Sequence, residues 1–178
     1  MIQHLKRITN GIAIAACIVM TLAFIFWIAG ARINITRSIP LGLYWASLSE
    51  LEKGSYVVFC PSPAATFDEA RKRKYISTGF CPGRYSYMMK RVFGVSGDVV
   101  SIADDGVRVN GTLLPLSLPR EADLAGRAMP HYRLNDYRLD DSEFLLMSDV
   151  SARSFDGRYF GLVKRAQIKD VVRPVWTW

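Results

Sequence analysis

Apolar and polar positions follow two different periods in this chain. From Gly11 to Ala29 the residues GIAIAACIVMTLAFIFWIA run for nineteen positions without a charge. At about 1.5 Å rise per residue this predicts one helix of roughly 28 Å, close to the hydrocarbon thickness of a bilayer. A buried helix of a soluble domain would show a polar face, and none interrupts this run. Lys6 and Arg7 precede it, which places the N-terminus on the cytoplasmic side, although Arg32 and Arg37 on the far flank make the asymmetry thin. Ala29-Gly30-Ala31 also has the small-residue form of a leader cleavage site. A leader's apolar stretch is about 7–15 residues, shorter than this one, so a retained anchor over 11–31 is expected, with 1–10 outside the bilayer and one domain over 32–178.

Past the anchor the period shortens to that of strands separated by turns. Gly54 to Phe59, Tyr87 to Phe93, Asp98 to Ile102, Phe144 to Met147 and Ile168 to Val175 each read as strands. Val107 to Thr112 reads as a hairpin turning at Asn110-Gly111. Asn110-Gly111-Thr112 also fits a glycosylation acceptor, but the hairpin accounts for it. Two segments break the pattern. Pro61 to Gly83 holds a predicted helix, Phe67 to Ile76, with Asp68 and Glu69 in its first turn, and Leu116 to Asp141 reads as an irregular excursion. The expected architecture is a mainly β domain with inserted loops and a short helix, behind one N-terminal transmembrane helix.

Composition narrows the partners. The 178 residues carry a formal net charge of +7, and all acidic residues and all basic ones except Lys6 and Arg7 follow the apolar segment. A modest positive excess there suits a domain resting on anionic lipid headgroups. Arg71-Lys72-Arg73-Lys74 invites a nucleic-acid reading, but no zinc pattern, helix-turn-helix signal or RNA-binding aromatic motif accompanies it, so it reads as a solvated helix face and no nucleic acid is expected. Of three cysteines, Cys17 lies in the apolar run as a packing residue. Cys60 and Cys81 would be bridged in an oxidising compartment, worth about 3 kcal/mol by loop closure, or would otherwise be two buried thiols. Neither belongs to a C-x-x-C pair, so no metal site is expected.

The chemistry is constrained by what is scarce. There are two histidines: His4, across the membrane from the domain, and His131, in a proline-containing loop and expected at the surface. A Ser-His-Asp triad therefore has little to rest on. A serine hydroxyl can instead be activated by a lysine whose amine burial has made neutral. Ser38 lies a few residues beyond the anchor in Thr36-Arg37-Ser38-Ile39-Pro40-Leu41-Gly42-Leu43-Tyr44. Lys90 sits in the Tyr87 to Phe93 strand, where alternation puts it on one face with Met88 and Val92, while Met89, Arg91 and Phe93 take the other.

Ser38-Ile39-Pro40, then Lys90-Arg91-Val92-x-Gly94-x-x-Gly97-Asp98, then Ser148-Asp149 leading to Ser154-Phe155-Asp156-Gly157-Arg158-Tyr159-Phe160-Gly161, occur in that order. Together they resemble the boxes of the type I signal peptidases, the Ser/Lys serine endopeptidases, and are most similar to the conjugative-transfer branch, the TraF-type peptidases that mature pilin precursors. The resemblance implies a domain in the periplasm, anchored in a bacterial inner membrane. It also implies roles: Ser38 as nucleophile, Lys90 as general base, and Ser154 hydrogen-bonding the Lys90 amine. The Ser38 N–H and Thr36 hydroxyl would form an oxyanion hole, and an Asp156–Arg158 ion pair would hold the Ser154 loop against the core. Gly94 and Gly97 would mark a turn after the lysine strand, and Gly161 would allow backbones to approach closely. It implies no cofactor, and a precursor protein bound as an extended strand at a sheet edge, with shallow pockets favouring small residues before the cut. Three positions depart from the family: Ser148 where glycine is usual, Gly157 where serine is common, and Leu162 where proline is common. The alternatives are a general signal peptidase for secretory proteins and a non-catalytic, membrane-tethered assembly factor of a conjugation or secretion apparatus.

Overall fold

An uninterrupted apolar run can satisfy its backbone only as a helix, and it does so here over α1 (Ile2–Ile28). A computed structural model describes residues 2–178, with side chains described except at 2–5 and 8, so the expected placement of His4 falls on a side chain outside those described. Thr9–Ile28 has a mean hydropathy of 2.5 and is long and apolar enough to cross a membrane. Its side chains, among them Ile14, Phe24 and Trp27, are exposed all round, a surface that water does not tolerate and that points to membrane association. Cys17 is exposed on this helix rather than packed.

The helix ends two residues short of the first strand. Gly30 takes a positive φ of 108°, and its carbonyl accepts from the Ala46 N–H at 2.8 Å. Arg32 completes the joint: Nη1 donates to the Trp27 carbonyl at the helix end, while Nε and Nη2 donate to Asp170 at 3.0 and 2.8 Å. A cation at a helix C-terminus is favoured by the dipole, and here it also ties that end to the sheet.

The following elements are β1 (Ala31–Asn34), β2 (Gly42–Ser47), β3 (Tyr56–Phe59), α2 (Ala65–Lys72), β4 (Thr78–Cys81), β5 (Met88–Gly94), β6 (Val99–Ala103), β7 (Gly106–Val109), β8 (Thr112–Leu113), β9 (Leu134–Arg138), β10 (Glu143–Met147), α3 (Gly157–Phe160), β11 (Val163–Lys164) and β12 (Ile168–Thr177). The fold is mainly β, as expected. Seven strands form one sheet in the order β1-β2-β12-β3-β5-β10-β11, and four form a second, β8-β7-β6-β9.

Strand β10 explains how the two sheets share a core. Its five residues are all buried: Phe144 and Leu146 enter one apolar cluster with Val57, Phe59 and Val92, while Leu145 and Met147 enter another with Val100, Ile102 and Val109. A strand covered on both faces reads as a continuous apolar run rather than an alternation. Pro174, which lacks an N–H, is accommodated in β12 next to a register shift against β2.

Several expectations are corrected. The helix expected over Phe67 to Ile76 stops at Lys72, because Lys74 adopts a left-handed φ of 62° and turns the chain away. The excursion from Leu116 to Asp141 is not wholly irregular: β9 within it pairs with β6, although its residues are mostly exposed and give no apolar signal. The Asn110-Gly111 hairpin is present, with φ of 51° and 78° at its two turn residues. Cys60 and Cys81 are bridged, with Cα atoms 5.4 Å apart, closing the segment that carries α2. His131 is exposed.

Candidate active site

The connection between β1 and β2 carries Ser38. It is a tight turn fixed at both ends: Ile39 is fully buried with Tyr44, Val58 and Val172, which is worth about 1.5–3 kcal/mol, and the Pro40 carbonyl accepts from the Tyr44 hydroxyl at 2.7 Å. Ser38 is left only 9% exposed. Its Oγ lies 2.8 Å from Thr36 Oγ1, which lies 2.9 Å from Asn34 Oδ1.

Lys90 stands in the middle of β5, opposite Val57 of β3. The strand alternates as the sequence predicts, with Met88, Lys90 and Val92 buried and Met89, Arg91 and Phe93 half-buried. Lys90 is 3% exposed, and among the described residues it has no ion-pair partner. Burial therefore pushes its amine down to about 8; the Asp156 carboxylate opposes this, and the Arg158 guanidinium adds to it.

Three strands separate β1 from β5 in the sheet, yet the sheet curls so that both line one cleft of 580 Å³. Ser38, Thr36, Lys90 and Ser154 all border it, with Met88, Met89 and Ile33 among the apolar residues between. The segment between β10 and α3 delivers Ser154, and Asp156 and Arg158 hold that segment. Arg158 donates from Nε to Asp156 Oδ1 at 2.8 Å and from Nη2 to Oδ2 at 2.9 Å. Its remaining donors reach the carbonyls of Ser154, Ala152, Leu116 and Leu118. Both side chains are fully buried. The hydrogen bond anticipated between Ser154 and Lys90 is not formed here: among the described residues, the buried Ser154 Oγ has no hydrogen-bond partner. One cleft is thus lined by a hydroxyl, a desolvated amine and a second hydroxyl.

The family departures have local reasons. Ser148 Oγ accepts from the Val150 and Ser151 N–H groups and so closes the turn leading to Ser154. A side chain at Gly157 would meet the Leu146 carbonyl at 3.0 Å and Leu145 Cδ1 at 2.9 Å, so serine would fit only if these neighbours shifted. Leu162 packs against the second apolar cluster. Gly161 has a positive φ, but what closes on it is the Tyr132 ring, not backbone.

Sequence reasoning missed Asn34, which is 3% exposed and bonds throughout the nucleophile turn. The spacing Asn34-x-Thr36 is the local signal of an Asx turn and could have drawn attention to it. It also missed a half-buried network behind that turn. Tyr44 packs edge-on against Tyr56, whose hydroxyl donates to Asp149 Oδ2 at 2.6 Å, and Arg91 joins the same carboxylate at 3.3 Å. The two phenols are raised by burial and by the Asp149 charge, Tyr44 to about 12.

The sequence model of the family described as "Signal peptidase, peptidase S26" matches residues 1–178. The chain is 58% identical over 178 residues to a plasmid transfer protein TraF of Escherichia coli, covering 100% of both chains. It is 32% identical over 170 residues to a conjugal transfer protein TraF of Agrobacterium fabrum, covering 94% of this chain and 92% of that one. Among solved structures, a signal peptidase I from Enterococcus faecalis matches 71% of this chain and 100% of its own at 20% identity, with a TM-score of 0.41. Matched along its whole length, the chain belongs to the peptidase S26 family of signal peptidases, with TraF proteins among its relatives.

Proposed function

We propose that this protein is a membrane-anchored serine endopeptidase, its domain facing the periplasm, that removes a signal or pro-segment from an exported precursor, and that this precursor is a conjugative pilin. The observation that carries the reading is Lys90: a buried amine with no ion-pair partner among the described residues, held near 8 and bordering the same cleft as Ser38. Ser38 Oγ attacks the scissile carbonyl while Lys90 takes its proton. The carbon–nitrogen bond then breaks, the lysine returns a proton to the leaving amine, and an acyl ester on Ser38 remains. Water releases the product, or the precursor's own N-terminal amine does so and gives a cyclic chain. The Ser38 N–H would stabilise the oxyanion, joined by the Thr36 hydroxyl once its proton leaves Asn34, a role worth about 3–4 kcal/mol per well-placed donor.

The apolar groove at the end of α1 supports the route of entry. It shares Ile33, Tyr87 and Met89 with the cleft, so one continuous surface leads from Phe26 and Trp27 to Ser38. β1 is an edge strand, open for pairing with an extended substrate. The conjugal names of its full-length relatives favour the pilin substrate over a general secretory one.

The test is cleavage of a conjugative pilin precursor by the full chain in membranes, with products read by mass spectrometry. The base must be neutral, and at pH 7 about a tenth of an amine titrating near 8 is neutral. The rate should therefore climb about tenfold per unit between pH 6 and 7 and level off above about 8.5. A product lighter by one water establishes cyclisation. A rate flat from pH 6 to 9 removes Lys90 as base, and preference for a secretory preprotein over the pilin assigns the general role.

A further inference from the structure

We infer that Asn34 is a positioning residue for the nucleophile: its carboxamide sets the course of the turn and, through Thr36, the direction of the Ser38 hydroxyl. The inference rests on the Ser38/Lys90 reading above. Asn34 Nδ2 donates to the carbonyls of Thr36, Ile39 and Pro40 at 2.8, 2.9 and 3.0 Å. Its Oδ1 accepts from the Thr36 N–H at 3.1 Å and from the Thr36 hydroxyl at 2.9 Å. The amide cannot be reversed, because a flip would set N–H against N–H and carbonyl against three carbonyls. One side chain at the end of β1 therefore encircles the turn that presents Ser38, contacting it before and after the nucleophile.

Proton counting gives the rest. The Thr36 hydroxyl has one proton, and Asn34 Oδ1 can only accept, so that proton goes to Asn34. The 2.8 Å contact between Thr36 and Ser38 must then be closed by the Ser38 proton, donated to Thr36 Oγ1. In the resting site the nucleophile's hydroxyl is held in one rotamer by a relay, Ser38 to Thr36 to Asn34, and its proton is committed to Thr36 until Lys90 takes it. The same relay occupies the Thr36 proton, which reaches an oxyanion only by leaving Asn34. Asn34 thus governs both the aim of the attacking oxygen and the release of an oxyanion donor, acting through Thr36.

The experiment compares native chain, Asn34→Ala, Thr36→Val, the double variant and Ser38→Ala, all as full-length chains on one precursor peptide. Asn34→Ala should lower kcat on the order of 10²-fold, the scale of losing a fixed attack geometry, with KM within about threefold. In the Thr36→Val background the same substitution should lower kcat by less than about tenfold, because coupled residues are not additive. A native kcat in Asn34→Ala, or an equal loss in both backgrounds, overturns the inference. If Asn34→Ala does not accumulate folded and disulfide-bonded, near-isosteric Asn34→Asp replaces it. It keeps the acceptor for Thr36 and loses the donors, and a native kcat in it is equally fatal. Collapse of both variants assigns Asn34 to the fold alone and also overturns the inference. Activity retained in Ser38→Ala would instead sink the nucleophile reading itself.

Discussion

Replacing Lys90 by methionine should abolish precursor cleavage and at the same time raise the stability of the protein. Loss of the base from a Ser/Lys pair, like loss of the nucleophile in Ser38→Ala, should lower kcat on the order of 10⁴-fold or more. Stability moves the other way because the native state holds this amine near 8 against an ordinary 10.5. Below pH 8 the amine is protonated whether the chain is folded or not, and the folded state carries a cost of about 3 kcal/mol for keeping it buried. Between pH 8 and 10.5 the unfolded chain binds the extra proton, so native stability climbs with pH. Above 10.5 the amine is neutral in both states and the cost is gone. Methionine fills a similar space without charge, so at pH 7 the variant should melt about 5–10 °C higher, and that advantage should fade through pH 8 to 10.5. Thermal unfolding in detergent, read beside cleavage, checks both halves. A dead variant that is less stable than the native chain would mean that Lys90 is a structural residue.

The opposite outcome is expected at the Asp156–Arg158 pair. Arg158 is fully buried and spends its donors on one carboxylate and four backbone carbonyls, so Asp156→Ala strands a charge in the core. Removing one member of such a pair costs about 3–5 kcal/mol, a large part of the 5–15 that holds an ordinary domain together. The melting temperature should fall by about 10 °C or more, with partial recovery in Asp156→Ala/Arg158→Met. A further sign is testable in whatever folded protein survives. The Asp156 carboxylate holds the Lys90 pKa up, so its loss lowers that pKa further and moves the acid limb of the rate profile to lower pH. An unchanged melting temperature would show that the guanidinium finds water or another partner.

These outcomes rest on features that differ in how far the sequence betrays them. Lys90 is legible in two steps: the alternation of β5 allows an inward ammonium between Met88 and Val92, and the order of the three boxes singles it out. The disulfide is legible as a pairing of the two cysteines outside the apolar run. β1 and β2 are not legible, since ARIN and GLYWAS are short, half-buried and hold no sustained alternation; their pairing with each other and with β12 is a property of the closed sheet. For the same reason no pattern along the chain brings β1 beside β5 across three intervening strands. The site residues read as three separate boxes whose order, through its resemblance to one family, implies a meeting. The hydrogen-bond partners that align them, Asn34 above all, belong to loop geometry, which leaves no period to read.

The joint between α1 and β1 has a consequence for what can be cut. Only Ala29 and Gly30 separate the helix from the strand, and Arg32 locks the corner by grasping the helix end and Asp170 together. With no slack between anchor and turn, Ser38 stands at one fixed height above the bilayer on the anchored reading. On the endopeptidase reading proposed above, the enzyme would then work as a depth gauge: among bonds of acceptable sequence, the one severed would be the one that the precursor's own apolar segment holds at that height.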